Sequence, residues 1–384
     1  MKTKRICAVT GSRAEFGVLS HTLRQLAATP QLTFQLVVTG MHLSREFGYT
    51  MDEILDCGFQ PTETVEMMLS SDTNVGMGKS IGLGVISMTD CLSRLAPDLL
   101  LVIGDRYETF AAATAAMALN IPIAHISGGE ITEGAIDEQM RHAITKMSHL
   151  HFVTLEENAR IVRQMGEESW RVHVVGGPWI DNITTLEEIP KGELSKRLGL
   201  DLDEPTILVT FHPVTLQLEE TKKHIDNLLA ALAKTRMQTI FTYPNADAGG
   251  RIIIEAIKQF CAQEPKAIAC QSLGSKTYLN LLRHVCLMAG NSSSGMVETQ
   301  SFRLPVVNIG SRQKGRMATD NIINCPPEAD AIHEAITTGL SPEFRDRVTK
   351  MKNPYDSGGV AKNILSVLAD LPDRATLLNK KFSS

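Results

Sequence analysis

The chain has no CxxC pair, and its cysteines are odd in number, seven in 384 residues. Most lie in apolar segments such as Ile6-Cys7-Ala8 and Val285-Cys286-Leu287, where free buried thiols are common. A reducing, cytoplasmic setting is expected rather than a disulfide framework. Dense Lys/Arg runs are also missing. With 38 basic and 43 acidic residues and a net charge of −5, no general nucleic-acid surface is expected, and any basic site is local. Long apolar runs are missing too. Ile6 to Val9 is too short for the core of a secretion signal, and Ala111 to Ile126 is interrupted by Asn120 and Pro122, so no membrane span is expected. There is no HExxH, no Cys/His cluster and no carboxylate repeat to suggest a metal, and no GxSxG elbow for a serine hydrolase. Gly78-Lys79-Ser80 looks like the end of a phosphate loop, yet Thr73 stands where its first glycine belongs. Gly76, Gly78, Gly82 and Gly84 miss the dinucleotide spacing as well, and are read as permitting close packing in a loop-to-helix segment.

What is present is an alternation of buried strands and helices. A chain of this length with 43% hydrophobic and 21% charged residues predicts a soluble globular protein of two domains. Leu99 to Ile103 is an apolar run that ends in Gly104-Asp105-Arg106-Tyr107-Glu108. Ile121 to Ile126 is a second, ending in Ser127-Gly128-Gly129-Glu130. Such runs read as parallel strands covered on both faces, and ligands in open α/β sheets sit beyond their carboxyl ends. Asp137 to His142, entering the next helix, adds further ionisable groups to the same region. The mixture of carboxylates, arginine and histidine suits acid/base chemistry on a charged substrate. Near the N-terminus, Arg5 to Thr10 leads through Gly11-Ser12-Arg13 into a helix, an entrance suited to anions. His42 follows the next strand and is expected to face the same crevice.

The polar segment from Asp181 to Asp203 carries no strong strand. The boundary is therefore placed at Gly176-Gly177-Pro178, giving domains 1–178 and 179–365 and a tail 366–384. The second half then repeats the pattern. Thr206 to Phe211 ends in His212-Pro213, Thr239 to Tyr243 in Pro244-Asn245, and Val285 to Ala289 in Gly290-Asn291-Ser292-Ser293-Ser294-Gly295. Gly290-Asn291 mirrors Gly104-Asp105. Two Rossmann-like halves with parallel sheets facing a central cleft are thus expected. Serine hydroxyls and N–H groups at the Gly290 turn suit a diphosphate, and Arg312, Lys314 and Arg316 supply positive charge after a nearby strand. His212, between a buried strand and a proline, has little packing reason to be there.

Taken together, Gly11 to Gly17, Gly104 to Glu108, His125 to Glu130, Ile136 to Glu138, Arg141 to Lys146, Phe211 to Pro213, Gly290 to Gly295 and Gly310 to Arg316 resemble one family. It is that of the hydrolysing UDP-N-acetylglucosamine 2-epimerases of sialic-acid biosynthesis, matched in the same order over most of the chain. The resemblance implies the two-domain GT-B fold, with UDP mainly on the second domain. It assigns the nucleotide to Arg13, Ala14, Asn245, Gly290, Asn291, Ser292, Ser293, Glu298 and Arg312, with Glu298 on the ribose hydroxyls. It places Asp105, Arg106, Asp137 and His212 around the sugar and the departing diphosphate, with Glu130 among the catalytic groups and His42, Ser127 and His142 beside the sugar. In the implied reaction the C2 proton is removed as UDP leaves C1, giving a 2-acetamidoglucal that water converts to N-acetylmannosamine. Asp105 and Asp137 form the acid/base pair, with Glu130 and His42 in reserve.

Ser127 stands where many relatives carry a glutamate. That duty then falls to Glu130, Asp137 or water, or else the sugar differs, the alternative being UDP-2,4-diacetamido-2,4,6-trideoxyglucose on the way to legionaminic acid. No cofactor and no metal is implied. A homo-oligomer, dimer or tetramer, is, with Ile81 to Leu95 as a candidate interface. Competing readings are a glycosyltransferase of the same fold, a non-hydrolysing epimerase that returns a UDP-sugar, and a silent sugar-nucleotide sensor.

Overall fold

The computed structural model describes residues 3–383 except 47, 48, 70, 72, 134, 246 and 357. The chain divides into two compact units, one of Met1–Glu130, Ile136–Thr184 and Tyr355–Ser384, the other of Ile131–Ala135 and Thr185–Pro354.

In the first unit the apolar runs form a parallel sheet of β1 (Lys4–Thr10), β2 (Leu32–Thr39), β3 (Glu63–Val65), β4 (Leu99–Ile103), β5 (Ile123–Ile126), β6 (Leu150–Val153) and β7 (Val172–Val174). Their order is β3-β2-β1-β4-β5-β6-β7. The helices are α1 (Arg13–Ala27), α2 (Met51–Asp56), α3 (Asn74–Leu95), α4 (Tyr107–Ala118), α5 (Asp137–Met147), α6 (Glu156–Gln164) and α7 (Trp179–Thr184). Side chains of β1 and β4 alternate between two buried clusters. Ile6, Ala8, Leu99 and Leu101 pack with Phe16, Leu19 and Leu23 of α1, while Cys7, Leu100 and Val102 pack with Met88 and Leu92 of α3 and the alanines of α4. Strand order reverses between β1 and β4, so the turns that follow these two strands lie side by side.

The second unit repeats the plan with β8 (Thr206–Thr210), β9 (Gln238–Thr242), β10 (Ala267–Cys270), β11 (Leu287–Gly290), β12 (Val306–Ile309) and β13 (Ile322–Cys325), in the order β10-β9-β8-β11-β12-β13. Its helices are α8 (Lys191–Leu198), α9 (Thr221–Thr235), α10 (Gly250–Gln263), α11 (Ser275–Leu282), α12 (Ser293–Val297), α13 (Ala329–Leu340) and α14 (Pro342–Thr349). Here the reversal falls between β8 and β11, which places the turn bearing His212 beside the turn bearing Asn291. The chain then ends in α15 (Val360–Ala369) and α16 (Arg374–Leu378).

The units do not follow the expected boundary at residue 178, and the segment beyond 365 is no tail. Asn182 of α7 is tied to α1, its amide donating to the Gly17 and Val18 carbonyls at 2.7 Å each and accepting from the His21 N–H at 3.0 Å. The Asp181 carboxylate in turn accepts the Val360 and Ala361 N–H groups at 3.2 and 2.6 Å, capping α15. Val360, Ile364, Leu368 and Leu377 join the cluster around Phe16. Buried Arg171 closes the arrangement by donating to the carbonyls of Thr376, Leu377 and Asn379. The segment Tyr355–Ser384 therefore completes the first unit.

The glycines of α3 divide in an unexpected way. A Cβ on Gly84 would meet Met67 and Ala111, and one on Gly76 would meet Ser71, so those two serve close packing, whereas Gly78 and Gly82 face open space.

Candidate active site

In the first unit the chemistry collects on the turns after β1, β4 and β5. Gly104 takes φ +73°, which lets the chain turn sharply after β4 and present Asp105 at the strand end. His125 of β5 steadies that turn, its Nε2 donating to the Gly104 carbonyl at 2.7 Å. Asp105 is partly exposed, and its carboxylate accepts a hydrogen bond from buried Arg141 of α5. The other terminal nitrogen of Arg141 donates to the Glu130 carbonyl at 2.7 Å and lies 3.4 Å from Glu138. Asp137 is one helical turn before Arg141, so the two share a face of α5. Asp137 is nearly buried and opens α5, where the helix dipole favours its charge. Arg106 is 6% exposed, with Nε 3.5 Å from the buried Glu108 carboxylate and its guanidinium 5.2 Å from the Tyr107 ring centroid.

Ser127 follows β5 with φ +65° and is buried. The Glu130 carboxylate accepts from Thr154 at 3.4 Å, and His142 meets Glu138 at 3.0 Å on the partly exposed side of α5. Arg13 opens α1 half-buried, with Ala14 exposed beside it. Glu15 was not singled out from the sequence and is central here. It accepts N–H bonds from Gly11 at 2.8 Å and Ser12 at 3.0 Å, and an O–H bond from Thr109 at 2.7 Å. Burial pushes its carboxyl up, against those hydrogen bonds and the Arg106 charge, which act to lower it. The Ser12-x-x-Glu15 capping box is the signal that would have found it.

One sugar-side expectation is overturned. His42 is fully buried, with Nε2 3.0 Å from Thr10 Oγ1 and Nδ1 2.7 Å from Thr50 Oγ1. Burial pulls it down to about 4, so it is neutral at ordinary pH. Both ring nitrogens are engaged by hydroxyls, and His42 is a core residue rather than a sugar ligand or reserve base.

In the second unit, Gly290 has φ +138°, and a Cβ there would lie 2.0 Å from the Thr210 carbonyl oxygen. Only glycine brings β11 this close to β8. Asn291 is buried and braces the neighbouring turn. Its Oδ1 accepts the His212 N–H at 2.7 Å and its Nδ2 donates to the His212 carbonyl at 2.8 Å. Through these bonds the Asn291 side chain positions His212. The Asn245 N–H donates to His212 Nδ1 at 3.3 Å, which leaves Nε2 as the ring nitrogen that donates. Arg312 and Gln313 both donate to the Asn291 carbonyl, at 3.1 and 2.9 Å. Ser292 caps α12 by accepting from the Ser294 N–H, and Ser293 opens that helix half-buried. Glu298 ends the same short helix; burial pushes its carboxyl up, a shift the hydrogen bond from Ser294 reduces.

A profile of the UDP-N-acetylglucosamine 2-epimerase family matches residues 24–369. The chain belongs to that family. Among relatives of this epimerase, the GDP/UDP-N,N'-diacetylbacillosamine 2-epimerase (hydrolyzing) of Campylobacter jejuni is 37% identical over all of this chain and 99% of that one. The polysialic acid biosynthesis protein P7 of Escherichia coli is 36% identical over 96% of this chain and 94% of its own. The crystal structure of the Neisseria meningitidis UDP-GlcNAc 2-epimerase bound to UDP-GlcNAc superposes with a TM-score of 0.82 at 20% identity, covering 96% of this chain and 100% of that one. The fold of this epimerase is accordingly the GT-B-like pair of parallel-sheet Rossmann domains. Among the described residues no helix is long and apolar enough to cross a membrane, and no group of three or more His, Cys, Asp or Glu could hold a metal ion.

Proposed function

We propose that this family member is a hydrolysing 2-epimerase of a UDP-linked 2-acetamido sugar, cleaving the C1–O bond and inverting C2. The observation that carries this reading is the Arg141 bridge from the Asp105 carboxylate to the Glu130 main-chain carbonyl, with Asp137 one helical turn before Arg141 on the same helix. A transferase needs only to stabilise departing UDP. Removal and return of a C2 proton needs two separately placed acid/base groups.

In the proposed cycle one of Asp105 and Asp137 takes the C2 proton while the C1–O bond breaks, forming the C1=C2 bond of a 2-acetamidoglucal and releasing UDP. The other carboxyl then delivers its proton to C2 on the opposite face while water adds its oxygen to C1, and the proton that this water loses restores that carboxyl. Because the C2 proton is not acidic, its loss must be coupled to departure of the diphosphate, whose charge needs preorganised donors. The second unit offers the Nε2–H of His212, Arg312 and the Ser292–Ser293 turn for that role, and the first unit offers Arg106. Glu298 accepts the ribose hydroxyls, while Arg13 and Asn245 complete the nucleotide contacts. Glu130 or water takes the duty of the glutamate replaced by Ser127.

For the sugar, the 37% identity to the Campylobacter enzyme over the full chain supports UDP-N,N'-diacetylbacillosamine, a 2,4-diacetamido-2,4,6-trideoxy sugar. A second reading, UDP-N-acetylglucosamine giving N-acetylmannosamine for sialic acid, is favoured by the relative of polysialic acid biosynthesis. The proposed setting is a cytoplasmic homo-oligomer. NMR in D2O with each UDP-sugar in turn tests both readings. Free UDP together with a sugar inverted and deuterated at C2 is the expected result, and the substrate that gives it decides the specificity. An epimerised sugar still joined to UDP, or UDP binding without turnover of either substrate, overturns the hydrolysing reading.

A further inference from the structure

The second unit holds a pocket of about 570 Å³, within the size range of small-molecule sites, and none of the residues proposed to hold UDP lines it. Its wall includes the carboxamides of Asn308, Gln313 and Asn324 and apolar surface from Met296, Pro326 and Pro327. Asn308 of β12 and Asn324 of β13 are register partners in the parallel ladder, so their side chains stand on one face of the sheet. Asn308 Nδ2 donates to Asn324 Oδ1 at 2.8 Å. The bonded pair keeps one acceptor, Asn308 Oδ1, and one donor, Asn324 Nδ2, that meet no other described residue, and turning both amides over exchanges the two but still leaves one of each. Gln313 is 2% exposed. Its Nε2 donates to the Asn291 carbonyl at 2.9 Å, while its Oε1 is buried with no partner among the described residues. A buried acceptor left open is costly until a ligand N–H or O–H meets it. The two cations on the wall are engaged elsewhere, Lys314 with Glu133 at 2.8 Å and Arg316 with Thr132 at 3.4 Å.

A free acceptor and a free donor side by side, next to apolar surface, are the complement of a secondary acetamide, with its N–H, its carbonyl and its methyl. The pocket is also in the right place. Ser311 and Gln313 line it on either side of Arg312 in sequence, and Arg312 shares the Asn291 carbonyl with Gln313, so a group in the pocket is a neighbour of the diphosphate that Arg312 would hold. We propose that this pocket is the subsite for a second acylamino group of the sugar, one remote from C2, with Asn308 and Asn324 reading its amide, Met296, Pro326 and Pro327 its methyl, and Gln313 Oε1 a neighbouring hydroxyl. The inference rests on the hydrolysing-epimerase reading and deepens it by naming the residues that prefer a 2,4-diacetamido sugar to a monoacetamido one. The acetamido group at C2 itself is not the occupant, because C2 exchanges its proton with a carboxyl and no Asp or Glu is among the described residues of the wall.

The test is steady-state kinetics of the full chain with UDP-N,N'-diacetylbacillosamine and with UDP-N-acetylglucosamine, beside calorimetric titration of UDP, for wild type, Asn324→Asp and Asn324→Leu. Asn324 is exposed on the edge strand β13, and circular dichroism checks that both variants keep the fold. Asn324→Asp retains an acceptor for Asn308 Nδ2 and replaces only the free donor, whereas Asn324→Leu removes both. Wild type is expected to prefer the diacetamido sugar. Each variant is expected to lower kcat/KM for that sugar about tenfold to a hundredfold, with a raised KM, and to leave UDP affinity and kcat/KM for UDP-N-acetylglucosamine within a factor of about two. A wild type that turns over neither sugar overturns the hydrolysing reading and this subsite together. Hydrolysis of UDP-N-acetylglucosamine at least as efficient as that of the diacetamido sugar overturns the subsite alone, as does a preference that both variants keep. An equal loss with both sugars, or a matching loss of UDP affinity, assigns Asn324 to the fold or the nucleotide and overturns the subsite as well.

Discussion

The Arg141 guanidinium, buried on α5, is hydrogen-bonded to the Asp105 carboxylate at the end of β4 and fixes where that carboxylate stands. The charge of Arg141 alone does not do this, because its second arm is anchored on the Glu130 carbonyl. Lysine keeps the charge but cannot span both partners. Arg141→Lys is expected to lower kcat on the order of a hundredfold, as small misplacements of catalytic groups do, with UDP affinity within a factor of about two. Steady-state kinetics with calorimetric UDP titration separates the two effects. An equal loss in both would show Arg141 acting on the nucleotide.

Gly290→Ala is expected to destabilise the protein by at least the roughly 1–3 kcal/mol of a disfavoured backbone conformation, with the Thr210 clash added. Because Asn291 follows directly and braces His212, UDP binding should weaken as well. A lower urea midpoint with unchanged m-value, measured beside UDP affinity, checks both effects.

Glu298 should make UDP affinity depend on pH. Burial raises its carboxyl above the usual range despite the Ser294 hydrogen bond, so it begins to take up a proton at a higher pH than an exposed glutamate. The charged form is the better acceptor for ribose hydroxyls, and affinity is expected to fall as pH drops through that raised value. Glu298→Gln should weaken UDP about tenfold to a hundredfold and flatten the acid limb. Calorimetry between pH 5 and 8 gives both readings, and a limb that persists in the variant assigns it to another group.

Buried neutral histidines predict an acid-sensitive fold. Burial pulls His42 and His149 down to about 4 and His125 to about 3, while the ordinary value is 6.5. The unfolded chain takes up protons below about pH 6.5 that the folded chain refuses. Stability is therefore whole above that pH and lost as pH falls towards 4. Each histidine contributes a slope approaching about 1.4 kcal/mol per pH unit in that window. Urea midpoints from pH 4.5 to 7.5 should rise with pH, and His125→Asn should remove about one proton's worth of the slope.

The strand ends were legible because an apolar run followed by glycine and a charged residue has few alternatives in a parallel sheet. Gly104-Asp105 and Gly290-Asn291 each close a strand beside its sheet's reversal point. The roles of His42 and Asn291 were not legible. A polar side chain past a strand can face a ligand or a neighbouring loop, and Thr50 and His212, which decided the matter, lie 8 and 79 residues away. The amphipathic pattern of α15 predicted a helix, but nothing in its period says which sheet it covers. The Asp181 cap settled that, through a contact 179 residues long in sequence. Short β3 and β13 likewise depend on the strands beside them and carry little signal of their own.

The return of Tyr355–Ser384 to the first unit has a consequence for how the chain is made. Topologically the stretch Thr185–Pro354 is an insertion, a whole Rossmann domain threaded into the interior of another. During synthesis it has all its strands while the earlier domain still lacks the helix that covers Phe16, Leu19 and Leu23. The nascent first domain must leave the ribosome with an apolar face open until α15 emerges. Maturation order thus runs against chain order, and the domain begun first is finished last.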